Sequence, residues 1–563
     1  MLDIRWLGRV SYPEALDLQH RLFGGRSNHL LLLEHDHVFT GGPNADPANL
    51  LSDPGAVGAR FFRTDRGGDI TYHGPGQLTG YPVLDVPGRR GGGLADTTAY
   101  VRTIEQLLID VLGDVGLEGC GRIDRYPGVW VDIAGDPRKI AAIGVRLRRG
   151  RAMHGFALNV ATDLAWFDHI VPCGIREFGV TSLLAEGVDT DMATVVDAVC
   201  ARAADAFGHS EVERHDVAWR QDDGDLSPFS RGAGPGETLT GAGAASVSVA
   251  EGLTIGRAGD TTARRRRRLD EAGAGAGIAI SARKPSWMKA RIDLNDGYRR
   301  LKATMRELDL VTVCEEAGCP NIYECWGEGT ATFMINGERC TRACGFCLVD
   351  TRKPLPLDPG EGERVAEAVA RMQLDHVVVT AVARDDLDDG GAAGFVRVIE
   401  AIGARCPGTD VEVLIPDFGG DRAALEAVLA AGPAVLNHNI ETVARMQRAV
   451  RPSAAYARSL AVLARAAAHG GASTKSGIIV GIGETDTEVD ATLRDLAAVG
   501  VDIVTIGQYL RPTTHHVPVQ RWVEPSSYDR WVKVGLDAGI GHVQASPLTR
   551  SSYRAGSITT PIR

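Results

Sequence analysis

Two groups of three cysteines are the residues whose type and spacing most directly indicate chemistry. The first group, spaced C-x4-C-x5-C, is Cys314, Cys319 and Cys325, and the second, spaced C-x3-C-x2-C, is Cys340, Cys344 and Cys347. Cysteine thiolates hold iron–sulfur clusters, and three of them leave one iron of a four-iron cluster open to another ligand. Structural zinc usually takes four ligands in paired C-x2-C units, which neither group supplies. Iron–sulfur ligation is therefore favoured, with structural zinc or a disulfide framework as the alternatives.

Other candidate groups lie in the N-terminal part of the chain. Cys173 stands between a proline and a glycine, where a turn would expose its sulfur. A lone cysteine is more often inert, but a nearby ammonium would favour the thiolate, which is the reactive form. Lys139 leads into the apolar stretch IAAIGVRL. The stretch RGGDITYHGPGQL, residues 66–78, lets the backbone approach a ligand closely, although a glycine-rich hairpin would look much the same.

The composition of the chain limits its class. Its 563 residues predict two or more domains. A formal net charge of −11 argues against a nucleic-acid partner, although a local basic patch remains compatible with an acidic one. No apolar stretch reaches transmembrane length, and the first residues lack the pattern of a secretory signal. Because cysteines grouped as ligands fit a reducing compartment, we predict a cytoplasmic protein with no membrane partner.

Residues 1–214 are predicted to form one α+β domain. Short apolar runs bounded by Gly, Pro and Asp, such as LLLLEH, GVWVDI and FALNV, are typical of strands and turns. Longer periodic segments at residues 97–115 and 192–207 predict helices. Because the strands do not alternate regularly with helices, we expect an α+β rather than a parallel α/β fold.

A linker, disordered or flexible, is predicted at residues 215–282. Gly, Ala, Ser and Thr dominate this segment and bury too little apolar surface to fold. Five consecutive arginines occupy residues 264–268. They would either bind an acidic carrier domain or only keep the linker solvated. Solvation is the favoured alternative, because blocks of like charge are usually disordered.

Residues 283–563 follow a different pattern. Apolar runs rich in β-branched residues alternate with alanine-rich helical runs, as in HVVVTAV before AGFVRVIEAIGARC and DVEVLIP before RAALEAVLAA. Repeated βα units predict an α/β parallel sheet that closes wholly or partly into a (β/α) barrel. Active sites of such barrels lie at the C-terminal ends of the strands, where NHNIE, GIGET and GQYLRP are expected to fall.

The second cysteine group lies in CTRACGFC, which resembles the motif of the radical S-adenosylmethionine superfamily. CEEAGCPNIYECW, VEVLIPDF, NHNIETV, TKSGIIVGIGET, TIGQYLRPT and RSSY narrow the resemblance to the lipoyl synthase family, over roughly residues 285–556. The resemblance implies a partial barrel of radical S-adenosylmethionine type with two cofactors, S-adenosyl-L-methionine and a pair of 4Fe-4S clusters. The second cysteine group would hold the cluster at which S-adenosyl-L-methionine is cleaved.

By the same resemblance, the cluster on the first cysteine group is an auxiliary one that donates sulfur and takes a serine as its fourth ligand. RSSY offers Ser551 and Ser552, of which Ser552 is favoured. The sequence departs from the family where VTAVARDDL has Ala381 and Ala383 in place of an acid and a serine. No role is assigned at those two positions.

The N-terminal stretches EHDHVFT, RGGDITYHGPGQL, PGVWVD, KIAAIGVRLRRG, HGFALNV, PCG and VTSL resemble the lipoyl (octanoyl) transferase family. This resemblance implies a fold like that of biotin and lipoate ligases. It also implies that Cys173 is the acyl-accepting nucleophile and that Lys139 favours its thiolate. The residues implied to line the acyl-chain pocket are Arg66, Gly67, Gly68, Asp69, Ile70, Thr71, Tyr72, His73, Ala142, Ile143, Gly144, Gly155, Phe156 and Ala157.

Together the resemblances imply a bifunctional enzyme of lipoate biosynthesis. One half would transfer octanoyl to a protein lysine, and the other would insert sulfur at C6 and C8 of that chain. The implied partners are octanoyl-acyl carrier protein, the lipoyl domains of 2-oxoacid dehydrogenase complexes, the glycine cleavage H protein, and an electron donor of ferredoxin or flavodoxin type. The alternatives are an ATP-dependent lipoate or biotin ligase for the first half and a non-catalytic iron–sulfur carrier module for the second.

Overall fold

The computed structural model describes residues 1–86, 96–219, 259–288, 296–316, 319, 321–323 and 332–552. The chain divides into two compact units, Met1–Trp219 and Arg220–Arg563. No sheet or hydrophobic core among the described residues is shared between the two units. None of the helices in the described ranges is both long and apolar enough to cross a membrane.

Where the structure describes it, the first unit combines two sheets with three α-helices. Its strands are β1 Leu2–Arg9, β2 Asn28–Glu34, β3 Val38–Gly41, β4 Arg60–Arg63, β5 Thr71–His73, β6 Gln77–Val83, β7 Gly121–Ile123, β8 Tyr126–Val131, β9 Arg138–Arg148, β10 Arg151–Asn159, β11 Gly179–Val180 and β12 Val212–Asp216. Its helices are α1 Tyr12–Phe23, α2 Thr97–Asp114 and α3 Met192–Phe207. The larger sheet has the order β12-β1-β2-β6-β10-β9-β8-β7, with β11 beside β9, and the smaller sheet has the order β4-β3-β5.

Apolar side chains of α2 and α3 share the core of the larger sheet. Ile104 and Leu108 of α2 and Val199 of α3 are buried in one cluster with Leu30 of β2 and Ile140 of β9. Their spacing along each helix follows the helical period, so one stripe faces the sheet. Antiparallel and parallel pairs are mixed in this sheet. The arrangement confirms the predicted α+β fold class.

The second unit is built on one sheet. Its strands are β13 Val311–Thr312, β14 Thr332–Ile335, β15 His376–Ala381, β16 Asp410–Leu414, β17 Val435–Asn437, β18 Ser473–Val480, β19 Ile503–Gln508 and β20 His542–Ala545. The strands follow one another in chain order; β14 to β20 are parallel and β13 is antiparallel to β14. In the described sheet β13 and β20 are not paired, so the barrel is open, as the predicted partial barrel requires.

Helices of the second unit follow most strands. They are α4 Gly259–Glu271, α5 Asp296–Glu307, α6 Val313–Glu316, α7 Glu361–Met372, α8 Ala392–Arg405, α9 Arg422–Ala430, α10 Gln447–Val450, α11 Tyr456–His469, α12 Asp486–Ala498 and α13 Pro525–Asp537. Val365 and Val369 of α7 are buried with Val377 and Val379 of β15 in one core. Each βα unit thereby covers the sheet and leaves the strand ends to carry polar side chains.

Both ends of the segment predicted as a linker, residues 215–282, contain packed residues where the structure describes them. At its start, β12 pairs in parallel with β1, and the Trp219 ring stacks on the Trp6 ring with centroids 4.5 Å apart. At its end, α4 begins at Gly259, and Leu269 and Ala272 are buried. Composition alone does not reveal that these few apolar side chains meet an apolar surface elsewhere in the unit. Residues 220–258 lie outside the described residues.

Candidate functional sites

Cys173 lies in a tight turn, the one-turn 3-10 helix Pro172–Gly174. Its φ of 56° is left-handed, and so is the φ of 72° at Gly174. The Cys173 N–H donates to the Ile70 carbonyl oxygen at 2.8 Å, and the Gly174 N–H donates to the Val171 carbonyl at 3.1 Å. A non-glycine residue in this conformation is strained and is kept there by its surroundings. Cys173 as a residue is partly exposed.

The loop that contains Asp69 closes one side of the Cys173 turn. The Asp69 carboxylate accepts hydrogen bonds from Asn49 Nδ2 at 2.6 Å and from the Ile70 N–H at 2.7 Å. A Cβ at Gly174 would lie 2.7 Å from Asp69 Oδ2. Cβ atoms in folded proteins essentially never come this close to a non-bonded atom. Glycine is therefore required beside Cys173, and the turn and the loop form one packed structure.

Arg66 is the buried cation at this turn. It donates to the Thr40 carbonyl at 2.5 Å, to Thr40 Oγ1 at 3.1 Å and to the Asp69 carbonyl at 2.8 Å. Its side chain is nearly buried, and it interacts electrostatically with the Cys173 sulfur. The sequence predicts Arg66 as a pocket residue; its charge near Cys173 was not predicted.

Lys139 lies at the start of β9 and is buried. Its Nζ donates to the Pro127 carbonyl at 3.1 Å and lies 4.7 Å from the centre of the Trp130 ring, a cation–π arrangement. No hydrogen bond joins Lys139 to Cys173 among the described residues. The backbone brings the two segments together, because β11, which follows the Cys173 turn, pairs with β9 at Val180 and Lys139.

Three of the stretches predicted to line the acyl pocket meet at β9 and β10. Gly144 pairs with Gly155, and Ala142 pairs with Ala157. The loop of residues 66–69 lies on β9, because the Gly67 N–H donates to the Val145 carbonyl at 3.0 Å. A Cβ at Gly144 would lie 2.8 Å from the Gly67 carbonyl oxygen, so glycine permits this close approach.

Side chains of other predicted pocket residues point into hydrophobic cores. Phe156 belongs to the core of the larger sheet, while Tyr72 and Ile70 belong to a smaller core with Phe167. His73 bonds Gln77 Oε1 at 2.9 Å, and burial holds the pKa of His73 well below its ordinary value. The side chains of Phe156, Tyr72, Ile70 and His73 therefore support the walls of the region between β5 and β10.

The loop of residues 340–347, here called the cluster loop, follows β14 in the second unit. The Cys340 N–H donates to the Asp350 carbonyl at 2.8 Å, and the Gly345 N–H donates to the Val450 carbonyl at 2.7 Å. The Gly345 carbonyl accepts the Val517 N–H at 2.8 Å. A Cβ at Gly345 would lie 2.7 Å from Val517 Cγ1, so a larger residue here would force the Val517 side chain to shift.

The thiols of the cluster loop fit the cluster that their spacing predicts. Cys344 interacts electrostatically with both Cys340 and Cys347, so the three sulfurs lie near one another. Burial raises the pKa of Cys344 to about 12 and that of Cys347 to about 11, and iron that binds thiolate would offset this cost. The described residues contain no three Cys, His, Asp or Glu side chains that converge on a single metal ion. A four-iron cluster spreads its thiolates over separate iron atoms.

Arg342, which lies between two of these cysteines, connects the cluster loop to two strand ends. It donates to both carboxylate oxygens of Asp385, at 2.8 and 2.6 Å, and to Asp417 Oδ1 at 2.6 Å. Burial alone would raise the pKa of Asp417, but the Arg342 guanidinium outweighs it and holds that pKa well below its ordinary value. Sequence reasoning missed this network; an arginine inside the motif and an aspartate just after β16 were the available signals.

The first cysteine group lies against the C-terminal segment that contains the RSSY serines. The Cys319 N–H donates to the Cys314 carbonyl at 3.0 Å, and Arg550 interacts electrostatically with Cys319. Asn439 Nδ2 donates to Ser551 Oγ at 2.7 Å. The structure thus brings the serines, two of the cysteines and the end of β17 together. Cys325 lies outside the described residues.

Polar residues follow the strands of the second sheet where the sequence predicts them. Asn437 ends β17, and Gln508 ends β19. In GIGET, Glu484 accepts the N–H groups of Gly481, Ile482 and Gly483 at 2.5, 2.9 and 3.1 Å. The Glu484 carboxylate therefore closes its own loop.

Three family models match different parts of the chain. Residues 11–204 match the lipoyl protein ligase A/B catalytic domain. Residues 274–319 match the N-terminal domain of lipoyl synthase of the radical SAM family, and residues 334–496 match the radical SAM superfamily. The match to the N-terminal domain of lipoyl synthase begins at residue 274, inside the predicted linker. This agrees with the packing of the residues that follow α4.

Individual proteins are similar to this chain as well. Lipoyl synthase of Rubrobacter xylanophilus is 54% identical over 281 residues, which cover 50% of this chain and 88% of that protein. Lipoyl synthase of Chlorobaculum parvum is 51% identical over 274 residues, which cover 48% of this chain and 94% of that protein. A bipartite lipoate protein ligase from Thermoplasma acidophilum, a solved structure, aligns with 38% of this chain and 88% of its own at 17% identity and a TM-score of 0.31.

Proposed function

The chain belongs to the lipoyl synthase family through its second unit, and we propose that it carries out two consecutive steps of lipoate assembly. The first unit is a lipoyl protein ligase A/B catalytic domain, so both halves belong to lipoate biosynthesis. In this proposal the first unit transfers octanoyl from octanoyl-acyl carrier protein to a lysine, and the second inserts two sulfur atoms, at C6 and C8.

In the first step, Cys173 acts as the nucleophile. Its thiolate forms a bond with the thioester carbonyl carbon of octanoyl-acyl carrier protein, and the bond from that carbon to the carrier's sulfur breaks. The acceptor lysine then attacks the new thioester; its nitrogen keeps the acyl group and the Cys173 sulfur leaves. The observation that supports this most is the strained, partly exposed turn that presents Cys173 beside Arg66.

Two cations have distinct roles in this proposal. Arg66 is buried and interacts with the Cys173 sulfur electrostatically, so it is placed to stabilise negative charge that develops there during acyl transfer. Lys139, held by Pro127 and the Trp130 ring, binds the acyl donor or acceptor next to the turn and adds to the positive potential there. Replacing each by methionine separates these roles: loss of Arg66 should slow alkylation of Cys173 by iodoacetamide at neutral pH, and loss of Lys139 should slow it less.

In the second step, the cluster loop holds one 4Fe-4S cluster through Cys340, Cys344 and Cys347. When bound there, this cluster supplies the electron for reductive cleavage of S-adenosyl-L-methionine, which generates a radical able to take hydrogen from an unactivated carbon. The chain itself fixes the loop: Arg342 ties it to Asp385 and Asp417 at the ends of two strands. Cys340, Cys344 and Cys347 would thereby hold the cluster near the C-terminal ends of the barrel strands, where barrel enzymes bind substrate.

The auxiliary cluster would be held by Cys314, Cys319 and Cys325, with Ser552 as the fourth ligand. The Ser551 hydroxyl already accepts a hydrogen bond from Asn439, whereas Ser552 has no hydrogen-bond partner among the described residues. That difference supports Ser552 as the iron ligand.

The proposed acceptors are the lipoyl domains of 2-oxoacid dehydrogenase complexes and the glycine cleavage H protein, and the reductant is a protein of ferredoxin or flavodoxin type. The test is incubation of the full chain with octanoyl-acyl carrier protein and an apo lipoyl domain, without ATP, followed by mass measurement of the acceptor. We expect the mass of one octanoyl group without S-adenosyl-L-methionine and the mass of a lipoyl group with it and a reductant. Acceptor modification only when ATP and free octanoate are supplied would instead identify a ligase.

Variants of the cysteines locate each activity. Cys173→Ser should abolish the covalent octanoyl adduct; transfer at the wild-type rate would contradict the assignment. Alanine at Cys340, Cys344 and Cys347 should stop release of 5′-deoxyadenosine. Alanine in the first cysteine group should leave that release in place while no sulfur reaches the octanoyl chain. Loss of the release in both triple variants would point to one coupled iron–sulfur centre.

A further inference from the structure

The five arginines of residues 264–268 lie on α4, which is fixed to the second unit. The Arg445 guanidinium donates to the Ala272 carbonyl just after the helix, and Gln520 Nε2 donates to the Gly275 carbonyl at 2.7 Å. The Ile278 N–H donates to the Val519 carbonyl at 2.6 Å. These contacts hold the C-terminal end of the helix in a defined place, so its arginines belong to a structured surface.

This surface borders the cluster loop. Helix α4 contacts α10, and the last residue of α10, Val450, accepts the backbone bond of Gly345 in the loop. Arg265 interacts electrostatically with Arg511, and Arg511 lies near His516, whose Nε2–H donates to the Cys347 carbonyl at 2.8 Å. The positive charges of α4 therefore stand one layer away from the ligands of the cluster.

In the part of the chain that the structure describes, positively charged side chains are crowded on this surface. Glu271 is buried between Arg267 and Arg448, with N–O distances of 3.4 and 3.1 Å. Arg268 lies near the same Glu271 and near three groups of like charge, Arg448, Arg264 and Arg267. Such crowding is unfavourable in the free protein and becomes favourable when an anionic surface binds. It also contrasts with the net charge of −11 for the whole chain.

We infer that this basic surface, formed by residues 264–268 with Arg448 and Arg511, is the docking site of a small acidic redox protein that reduces the cluster held by the cluster loop. The inference deepens the proposed function and rests on it for the identity of the reaction. Each docking moves one electron: the partner is oxidised by one electron, and the cluster is reduced by one. Electron transfer weakens steeply with distance, so the donor must dock beside the cluster. Weak electron-transfer complexes are small and steered by charge.

The test uses the full chain and oxidised flavodoxin as the acidic probe, and measures binding by anisotropy of flavin fluorescence at low and high salt. Arg264→Glu with Arg266→Glu reverses two exposed charges without touching the packed face of the helix. We expect affinity to fall about tenfold or more and its salt dependence to flatten. Arg397→Glu with Arg422→Glu, at exposed arginines of α8 and α9, is the matched control and should change little.

Further measurements distinguish docking of the redox protein at this surface from docking of another partner. Lysine at both positions keeps the charge and should keep flavodoxin binding, which separates charge from helix structure. Cleavage of S-adenosyl-L-methionine driven by dithionite should be unchanged in the Glu variants, while cleavage driven by flavodoxin should fall. Unchanged flavodoxin affinity, or an equal loss in the control pair, would overturn the inference. So would a loss of affinity for the apo lipoyl domain alone, which would assign the surface to the substrate. Wild-type cleavage with dithionite tests the proposed function separately.

Discussion

The Arg342 guanidinium donates a 2.6 Å hydrogen bond to Asp417, a carboxylate whose side chain has no exposed surface. Arg342 lies inside the cysteine motif, and Asp417 follows a strand of the barrel, so this bond fixes the cluster loop to the sheet. We expect Arg342→Met to destabilise the second unit by about 3–5 kcal/mol, because a buried carboxylate would lose its nearest cation and keep only Arg458, 4.0 Å away, and the Gly419 N–H. Urea unfolding followed with iron content measures this.

A matched variant separates charge from geometry at the same place. Arg342→Lys keeps the positive charge but cannot bond Asp385 and Asp417 together through one planar group. Its stability should lie between those of the wild type and Arg342→Met, with iron content lower than in the wild type. If Arg342→Met keeps both wild-type stability and iron, the network does not position the cluster loop.

Gly174 and Gly187 form a second matched pair, since both have a positive φ, of 72° and 82°. A Cβ at Gly187 would meet no atom within 4 Å, whereas one at Gly174 would lie 2.7 Å from Asp69 Oδ2. Gly187→Ala should cost about 1 kcal/mol of stability and leave octanoyl transfer unchanged. Gly174→Ala should also slow formation of the Cys173 adduct, because the turn must move. Mass spectrometry over time measures the rate of adduct formation in each variant. Equal rates in Gly174→Ala and Gly187→Ala would contradict the role of the turn.

His35 makes the first unit sensitive to acid. Its Nδ1–H donates to the Val10 carbonyl and its Nε2 accepts from the Tyr81 hydroxyl, both at 2.7 Å, and burial lowers the pKa of His35 to about 4. The unfolded chain binds a proton near pH 6.5 and the folded chain does not, so this contribution is complete above pH 6.5 and declines as the pH falls to about 4. The expected loss is about 3 kcal/mol.

Hydrogen exchange of β2 and β3 as a function of pH measures this loss in the full chain. His35→Gln, which cannot take up the proton, should be less stable at neutral pH and should flatten the decline between pH 6.5 and 4. An unchanged slope in this variant would show that other groups cause the acid sensitivity.

The two adjacent serines should differ in their effect on iron. Ser552→Ala should lose the auxiliary cluster's iron and sulfur insertion while 5′-deoxyadenosine release continues. Ser551→Ala removes the partner of Asn439, which costs about 1 kcal/mol, and should keep the iron. Iron analysis and Mössbauer spectra of the two variants decide, and the opposite pattern would make Ser551 the ligand.

Local patterns predicted the fold of this chain well, and long-range contacts were harder to predict. The alternation of apolar and alanine-rich runs predicted the parallel sheet, because each βα unit is encoded within a short stretch. Cysteine spacing likewise identified the candidate ligands. The link between Arg342 and Asp417 joins residues 75 positions apart, and neither residue is unusual in its own neighbourhood. The same holds for Arg66 at Cys173 and for α4, whose packing partners lie far along the chain.

Besides the Arg342 guanidinium, backbone and imidazole groups secure the cluster loop, and three of its residues take part through their backbone atoms. The N–H of Cys340, both polar backbone groups of Gly345 and the carbonyl of Cys347 are all engaged by Asp350, Val450, Val517 and His516. If oxygen destroyed the cluster, the iron would be lost, but the cluster loop would keep the conformation that binds it. The enzyme should survive such damage as a folded protein, and fresh iron and sulfide can rebuild the centre without new synthesis of the chain.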